Sequence, residues 1–509
     1  MIQDTSANNK RIAKNTLLLY FRMLLLMLIS LYTSRVILNA LGVEDYGIYN
    51  VVGGVVAMFS LLSGSIRSAI SRFITFELGT GNVERLKKVF SCSITIQIGL
   101  ALIIILIAET VGLWFLNCKM VIPEGRLPAA NWCFQISIIT FAVNLISAPY
   151  NATIIAHEKM SAFAYISILE AIGKLFVAWS IAFAPIDRLV FYASMLALIA
   201  CFICSLYAWY CKRQFEECSY RFIYDHSLLK QMFSFAGWNF MGTGSYLLMT
   251  QGVNILMNVY FGVVVNAARG IATQVDHAVM AFVENFTTAI NPQITKLYAS
   301  DEKEYMFTLM FKGAKLSYFL LLLFAVPLLC ETNIILHLWL KAVPDYAMAF
   351  VRLTLIVSMI HSVSLTMITA MYATGNIKKY QIIVGGAGML VFPLAWLLFV
   401  IGLSPETAYI CNIVIYVLQL CLRVYLLHGM VGMSVYRYTH EVIFKVIMTS
   451  LIAFSFPLII CYLLEDSYIR FSLILVIGEF FTTLSIFYIG LTCDERKFVV
   501  CWVRKRLCK

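Results

Sequence analysis

The chain of 509 residues is 61% hydrophobic, and only 13% of its residues are Asp, Glu, Lys or Arg. Soluble domains carry about 25% charged and about 45–50% apolar residues, and a soluble fold this apolar would lack the polar surface to cover its core. Mean hydropathy is +0.85 and the net charge is +11. This composition excludes an ordinary soluble protein and predicts an all-α integral membrane protein.

Long apolar segments recur along the whole sequence. A helix needs about 20 mainly apolar residues to cross about 30 Å of hydrocarbon. Short segments rich in turn-forming residues separate the apolar runs, for example 79–82 and 374–376. The sequence predicts about 14 transmembrane helices, at about 15–41, 47–77, 89–112, 131–152, 161–184, 189–211, 233–260, 270–292, 313–335, 346–373, 380–402, 406–427, 443–464 and 469–491.

Basic residues are distributed unevenly between the two sides of these spans. If the N-terminus is cytoplasmic, most of the 38 Lys and Arg residues fall in segments on the cytoplasmic side. An excess of Lys and Arg marks cytoplasmic loops. The sequence therefore predicts that both termini are cytoplasmic, and the basic loops explain the net charge without a nucleic-acid partner.

The two halves of the chain resemble one another at an offset of about 220 residues. Residues 69–75 correspond to 289–295, and Glu109 corresponds to Glu331; these two glutamates are expected to be structural or outer-gate groups. Parallel repeats of this kind pack about an axis along the membrane normal, with the substrate path between them. The predicted organisation is two six-helix lobes around a central cavity. Its segments are an N-lobe at 1–211, a cytoplasmic linker at 212–232, a C-lobe at 233–428, and helices 13 and 14 with a basic cytoplasmic tail at 429–509.

Four segments carry a resemblance to a known family: IPEGRLPAANW (122–132), FGVVVNAARGIA (261–272), NFTTAINPQITK (285–296) and TGNIKKY (374–380). They resemble the Wzx-type polysaccharide flippases of the multidrug/oligosaccharidyl-lipid/polysaccharide exporter superfamily. The resemblance implies a MATE-like bundle in a bacterial inner membrane. It also implies a flippase that moves undecaprenyl-pyrophosphate-linked repeat units to the periplasmic leaflet by alternating access, for lipopolysaccharide or capsule synthesis.

The same resemblance implies the partners of the protein. They are the lipid-linked oligosaccharide, the membrane lipids, and a polysaccharide polymerase with other assembly proteins. No cofactor and no metal site are predicted. The close pair Cys201 and Cys204 lies in an apolar stretch without further ligands, and a zinc site needs such ligands.

Basic residues within the predicted spans are the candidate substrate ligands. A charged residue in a span costs about 2.5–3.5 kcal/mol on insertion scales, so it marks a functional site by default. Arginine suits a pyrophosphate because its planar fork bonds phosphate oxygens bidentately and keeps its proton. We expect Arg22, Arg35, Arg67 and Lys174 of the N-lobe to form a cationic cavity for the pyrophosphate, unless inter-helix ion pairs engage them.

Carboxylates within the spans are candidates for ion coupling or gating. Glu170 lies one turn before Lys174, so a self-neutralising pair and a gating role both remain open. Asp276 and Glu284 are eight residues apart and share one face of the eighth span, where they would carry a proton, hold Na⁺ or bond a neighbouring helix. Pro292 should kink the same span and is the candidate hinge.

Two alternatives compete with the flippase. An ion-coupled multidrug exporter would share the fold, although the cationic first lobe disfavours organic cations as its cargo. A membrane-embedded polysaccharide polymerase or ligase is the alternative from another class, and it would need large outer loops that the sequence lacks. No G-x-x-x-x-G-K-[ST] motif is present, so transport would not use a P-loop. The sequence predicts a transporter rather than an enzyme.

Overall fold

A computed structural model of the chain describes residues 2–57, 59–118, 124–223, 225–340, 343–497 and 500. The regular elements in these ranges are all helices. The α-helices in chain order are α1 Ile2–Ala57, α2 Ser60–Thr80, α3 Val83–Ile107, α4 Leu113–Cys118, α5 Leu127–Ala156, α6 Met160–Ser180, α7 Arg188–Gln214, α8 His226–Leu247, α9 Val253–Ala299, α10 Lys303–Cys330, α11 Thr332–Trp339, α12 Ala347–Ala373, α13 Lys378–Tyr380, α14 Gly386–Met389, α15 Val391–Val400, α16 Thr407–Val431, α17 Val435–Tyr438, α18 Phe444–Leu463, α19 Tyr468–Leu473 and α20 Glu479–Ser485.

At several places, two helices that are neighbours in the chain continue into one another through a π-turn. The π-turns are Ala108–Gly112, Leu248–Gly252, Gln381–Gly385, Thr439–Ile443, Ile474–Gly478 and Ile486–Gly490. Each π-turn holds one extra residue per turn, which shifts the side chains that follow to a new face. Helices α3 and α4 therefore form one membrane-length rod, as do α17 and α18.

Eleven helical segments in the described residues are long and apolar enough to cross a membrane. The other three predicted spans, at 47–77, 233–260 and 270–292, are helical in their described residues apart from a turn at Phe59. The all-α, multi-spanning fold class predicted from sequence is confirmed. The protein is a multi-pass membrane protein.

The helix ends form where the sequence supplies capping groups. The Asn82 side chain accepts a hydrogen bond from the Arg85 amide at the start of α3. The Asp187 carboxylate accepts from the amides of Leu189 and Val190 at the start of α7. These side chains satisfy amides that have no partner in the first turn of a helix.

The internal repeat is visible in the backbone. Gly42 interrupts α1 at φ 81° and ψ 171°, and Gly262 interrupts α9 at φ 78° and ψ −169°. Glycine alone adopts this region without strain. The two breaks are 220 residues apart, which is the offset of the sequence repeat. The same offset relates the first residue of α5, Leu127, to that of α12, Ala347.

The chain divides into two compact units. Unit 1 comprises Met1–Phe240 with Ala299–Asp301, and unit 2 comprises Met241–Tyr298 with Glu302–Lys509. In unit 1, α5 packs against α7 and α1 against α6. In unit 2, α10 packs against α12 and α18, and the rings of Phe311, Phe350 and Tyr438 are fully buried.

Candidate functional site

Unit 1 contains a half-open cavity of about 420 Å³ between α1 and α6. Arg22, Glu170 and Lys174, three of the charged residues that we selected from the sequence, line this cavity together. Ser30, Thr33 and Ser167 contribute hydroxyl groups, and leucine, isoleucine and alanine side chains form the remainder. The lining is therefore a small polar and charged surface set within apolar walls.

Arg22 is held at the cavity wall by two contacts from α6. Its Nη1 donates to Ser167 Oγ at 3.2 Å, and its guanidinium carbon lies 4.3 Å from the centre of the Phe163 ring. The Arg22 Nε is buried without a hydrogen-bond partner. Among the residues that the structure describes, none places a carboxylate within 4 Å of Arg22. Within the described residues, the positive charge that Arg22 contributes to the cavity is therefore not compensated by a carboxylate.

Glu170 and Lys174 form an ion pair along one face of α6. Lys174 Nζ donates to Glu170 Oε1 at 2.6 Å, and the two side chains are 50% and 34% exposed, for Lys174 and Glu170 respectively. This i,i+4 arrangement neutralises both groups. The net charge of the described lining therefore comes from Arg22.

The other two predicted arginines, Arg35 and Arg67, are not among the described residues that line this cavity. Arg67 lies on α2 with an exposed side chain and is not part of the lining. Arg35 lies on α1, but its side chain is outside the described part of the structure. Of the four basic residues that the sequence predicted to form a cationic cluster, Arg22 and Lys174 line this cavity in the described structure.

The carboxylates predicted for ion coupling lie on α9 in unit 2. The Ser358 hydroxyl of α12 donates to Asp276 Oδ1. The Glu284 side chain is exposed. Pro292 is buried inside α9, and the non-helical residue of that helix is Gly262. Asp276 therefore makes a hydrogen bond to a neighbouring helix, which was one of the alternatives predicted from the sequence. The hinge at Pro292 stays a prediction.

Unit 2 contains a second cavity, of about 260 Å³, that the sequence did not predict. Residues of α8, α12 and α16 and the turn Tyr380–Gly385 line it. Its polar surface includes Tyr246, His361, Tyr372, Gln381, Gln419 and Arg423. Hydrogen bonds from Gln419 to the Val384 carbonyl at 3.0 Å and from Ser245 to the Gly385 carbonyl at 2.5 Å fix this wall.

Arg423 is the buried charge of this second cavity. Long basic side chains near helix ends usually extend to the lipid headgroups. Arg423 does not, because only 5% of it is exposed. Its Nη2 donates to Gln419 Oε1 at 3.3 Å, whereas Nε and Nη1 are buried without a hydrogen-bond partner.

No metal site is evident in the described residues. They contain no group of three or more His, Cys, Asp or Glu side chains placed to hold a metal ion. The described cysteines are free thiols, and several of them are buried. Buried cysteines of this kind behave as small apolar residues.

Comparison with known proteins places the fold. No protein-family model matches the chain, and no curated protein is significantly similar to it in sequence. Solved structures match over most of the chain. A crystal structure of a MATE mutant superposes with a TM-score of 0.72 at 12% identity, covering 84% of this chain and 97% of that chain. An outward-facing multidrug resistance MATE family transporter of the MOP superfamily gives 0.69 at 12% identity, with 82% and 94% covered.

A third similar structure is a MOP superfamily transporter from Pyrococcus furiosus, whose binding pocket is described as having reverse polarity, suggesting a different function. It superposes with a TM-score of 0.68 at 12% identity, covering 83% of this chain and 96% of that chain. At these identities the likeness defines the fold. The chain has the fold of the MATE transporters of the MOP superfamily.

Proposed function

We propose that this protein is a flippase for undecaprenyl-pyrophosphate-linked oligosaccharides, and that Arg22 binds the pyrophosphate. The observation that carries the proposal is the uncompensated guanidinium of Arg22 in the wall of the unit 1 cavity. The MATE fold supports transport, and the resemblance of four segments to Wzx-type flippases supports this class of cargo.

The chemistry of the cargo explains why a partly buried arginine is useful. A pyrophosphate carries several negative charges and loses its hydration when it enters an apolar cavity. A guanidinium replaces that hydration with charge-assisted hydrogen bonds, which are roughly twice as strong as neutral ones. Ser167 and the Phe163 ring hold the guanidinium in place without neutralising it. Anion binding then needs no existing ion pair to break.

Lys174 has a conditional role in this proposal. Its ammonium is engaged by Glu170 at 2.6 Å, so it adds to anion binding only after this pair opens or Glu170 takes up a proton. The pair then couples arrival of the anion to a change in the charge of the cavity. We propose Glu170 as the gating carboxylate, with Asp276 and Glu284 as the candidates for ion coupling in unit 2.

The experiment is a flipping assay in proteoliposomes that contain purified protein and an undecaprenyl-pyrophosphate-linked saccharide. A lectin that cannot cross the membrane measures how much saccharide reaches the outer leaflet. Arg22→Ala should lower the flipping rate about 10- to 100-fold, because a hydrogen bond to a charged group contributes about 1.5–3 kcal/mol. Arg22→Lys should retain part of the rate.

Arg213→Ala is the matched control. Arg213 lies in the last turn of α7 beside Trp209 and has an exposed side chain. Its removal changes the charge of the protein by the same amount and should leave flipping unchanged. Equal flipping by the wild type and Arg22→Ala would reject Arg22 as the ligand. Absence of flipping by the wild type, with correctly folded protein, would reject the flippase.

The second candidate function is an ion-coupled multidrug exporter. It is favoured by one of the similar structures, which is described as a multidrug resistance transporter. Expression in an exporter-deficient strain tests it. Resistance to organic cations that is lost on substitution of Asp276 or Glu284 would favour the exporter, whereas unchanged drug sensitivity together with flipping would favour the flippase.

A further inference from the structure

We propose that the unit 2 cavity around Arg423 binds a carboxylate carried on a sugar ring. The first observation is the state of the arginine itself. Arg423 is 5% exposed, and its Nε and Nη1 donors have no hydrogen-bond partner. Among the described residues, no carboxylate lies within 4 Å of this guanidinium. Burying a charge is unfavourable unless it is paired, and the described residues supply no negative partner for Arg423.

The charge of the lining selects the kind of anion. Arg423 is the only Lys or Arg among the described residues of this wall. One guanidinium matches a single negative charge, and its planar N–H groups match the two oxygens of a carboxylate. In unit 1, Lys174 becomes a second cation for the pyrophosphate once its pair with Glu170 opens, whereas the described lining of the unit 2 cavity has no second cation to match a phosphate dianion. A monovalent carboxylate therefore fits the site better than a phosphate.

The size and surface of the cavity select what carries the carboxylate. Its volume of about 260 Å³ has room for one sugar ring. Tyr246, Tyr372 and Tyr416 supply aromatic faces and hydroxyl groups, and Gln381 supplies an amide. Such groups bond ring hydroxyls and pack on the apolar face of a pyranose.

Further polar groups are arranged around the same space. The Gln381 Nε2 donates to the Tyr372 hydroxyl at 3.2 Å, which fixes both groups at the cavity wall. The His361 Nδ1 is buried without a hydrogen-bond partner, and its ring lies 5.4 Å from that of Tyr416. The lining thus offers an unengaged polar atom on α12, at His361, as well as those of Arg423 on α16.

In the flippase, this site would bind an acidic sugar of the cargo, and this role rests on the proposed function. Binding itself does not depend on that role. It is tested on the purified full chain in lipid nanodiscs by calorimetric titration with glucuronate, glucose and acetate. Glucuronate should bind at least tenfold more tightly than either glucose, which lacks the charge, or acetate, which lacks the ring.

Arg423→Gln should weaken glucuronate binding at least tenfold, and Arg213→Gln should leave it unchanged. Thermal unfolding without added ligand separates a ligand-binding arginine from a structural one. Removal of an unpaired buried charge should leave the unfolding midpoint of Arg423→Gln unchanged or raised, whereas removal of a structural arginine would lower it. If this variant does not fold, the comparison of the three ligands on the wild type still decides the proposal.

Equal binding of glucuronate and glucose would overturn the proposal, as would unchanged glucuronate binding by Arg423→Gln. Equal binding of acetate and glucuronate would assign the site to free carboxylates and reject the sugar. Flipping of a neutral lipid-linked saccharide without glucuronate binding would keep the flippase and reject the site. Glucuronate binding without flipping of any lipid-linked saccharide would keep the site and reject the flippase.

Discussion

Arg126 and Asp187 form an ion pair in which the guanidinium Nη1 lies 2.5 Å from a carboxylate oxygen. The same guanidinium bonds Asp45 through Nη2 at 2.6 Å and through Nε at 2.8 Å. Asp45 belongs to α1, Arg126 immediately precedes α5, and Asp187 caps α7. One side chain thus joins three helices of unit 1, outside their apolar segments.

This cluster predicts an acid-dependent contribution to stability. Burial raises the pKa of Asp187, but hydrogen bonds from Arg126 and from the amides of Val190 and Leu189 outweigh it, and the net pKa is lowered. A lowered pKa stabilises the fold above the ordinary value near 4, and this stabilisation is lost as pH falls through the folded-state pKa. Asp187→Asn should therefore lower the thermal unfolding midpoint at pH 7, and the difference from the wild type should shrink below about pH 4.

The control for this experiment is Lys87→Ala, since Lys87 makes a long, exposed ion pair with Glu216 at 3.8 Å. Exposed pairs of this kind contribute about 0–1 kcal/mol. A difference between Asp187→Asn and the wild type that is the same from pH 3 to pH 7 would contradict the assignment.

The two helix breaks predict a pair of matched glycine substitutions. Gly42→Ala and Gly262→Ala should each cost about 1–3 kcal/mol, because a Cβ is strained in this backbone region whatever the surrounding space. In the described part of the structure, no atom lies within 4 Å of the Cβ position at either glycine, so the cost is conformational and not steric. Apparent stability by scanning fluorimetry measures it.

Gly64 and Gly270 are the controls. Both have the same open space around the Cβ position but an ordinary helical backbone. Alanine there should stabilise by about 0.5–1 kcal/mol. Equal effects at all four glycines would show that the backbone breaks are not needed.

A steric comparison is available within one rod of unit 1. A Cβ on Gly112 would lie 2.7 Å from Cζ of the fully buried Phe134 ring, whereas one on Gly99 would meet no described atom within 4 Å. Gly112→Ala should destabilise by about 1–3 kcal/mol, since overpacking forces side chains from their rotamers, and Gly99→Ala should not. The unfolding midpoint of detergent-solubilised protein measures the difference. Tolerance of Gly112→Ala would mean that the Phe134 ring moves aside at little cost.

A buried ion pair in unit 2 predicts strong coupling. Arg470 bonds both oxygens of Glu331, at 2.6 and 3.0 Å, and the two side chains are 8% and 0% exposed. Glu331→Ala should cost up to about 3–5 kcal/mol, because it removes the buried partner of Arg470 and leaves that arginine only the exposed carboxylate of Asp466 at 2.5 Å. The double variant Glu331→Leu with Arg470→Met should recover much of that loss. Additive losses in this double-mutant cycle would contradict direct pairing.

The sequence predicted the membrane fold well because its signals are local. Runs of about 20 apolar residues define spans wherever they occur, and the offset of the two halves appears again in the breaks at Gly42 and Gly262. The same local logic found Arg22, Glu170 and Lys174. Charge inside a span is visible in the sequence, and the structure places these three residues at one cavity.

The second cavity was missed because its members lie far apart in the chain. Tyr246, Tyr372 and Arg423 come from three helices, and only packing brings them together. Arg423 sits eight residues before the end of α16, where a long side chain usually reaches the headgroups. The one available signal was its charge. Burial, which decides its role, depends on neighbours that the sequence does not identify. Arg67 shows the converse, since a charge in a span is exposed and outside the described cavity lining.

Glu109 and Glu331 occupy equivalent positions in the two copies of the repeat but satisfy their charges differently. Glu109 accepts from the neutral Gln135 of α5 at 2.9 Å. Glu331 takes its partner from α19, a helix beyond the repeat. The charge of Glu331 thus depends on a helix that lies outside the repeat, whereas that of Glu109 does not. A chain cut after Val431 would keep Glu331 but lose its partner Arg470. A protein assembled from two first halves would contain neither residue of this pair, so one half of the repeat cannot replace the other.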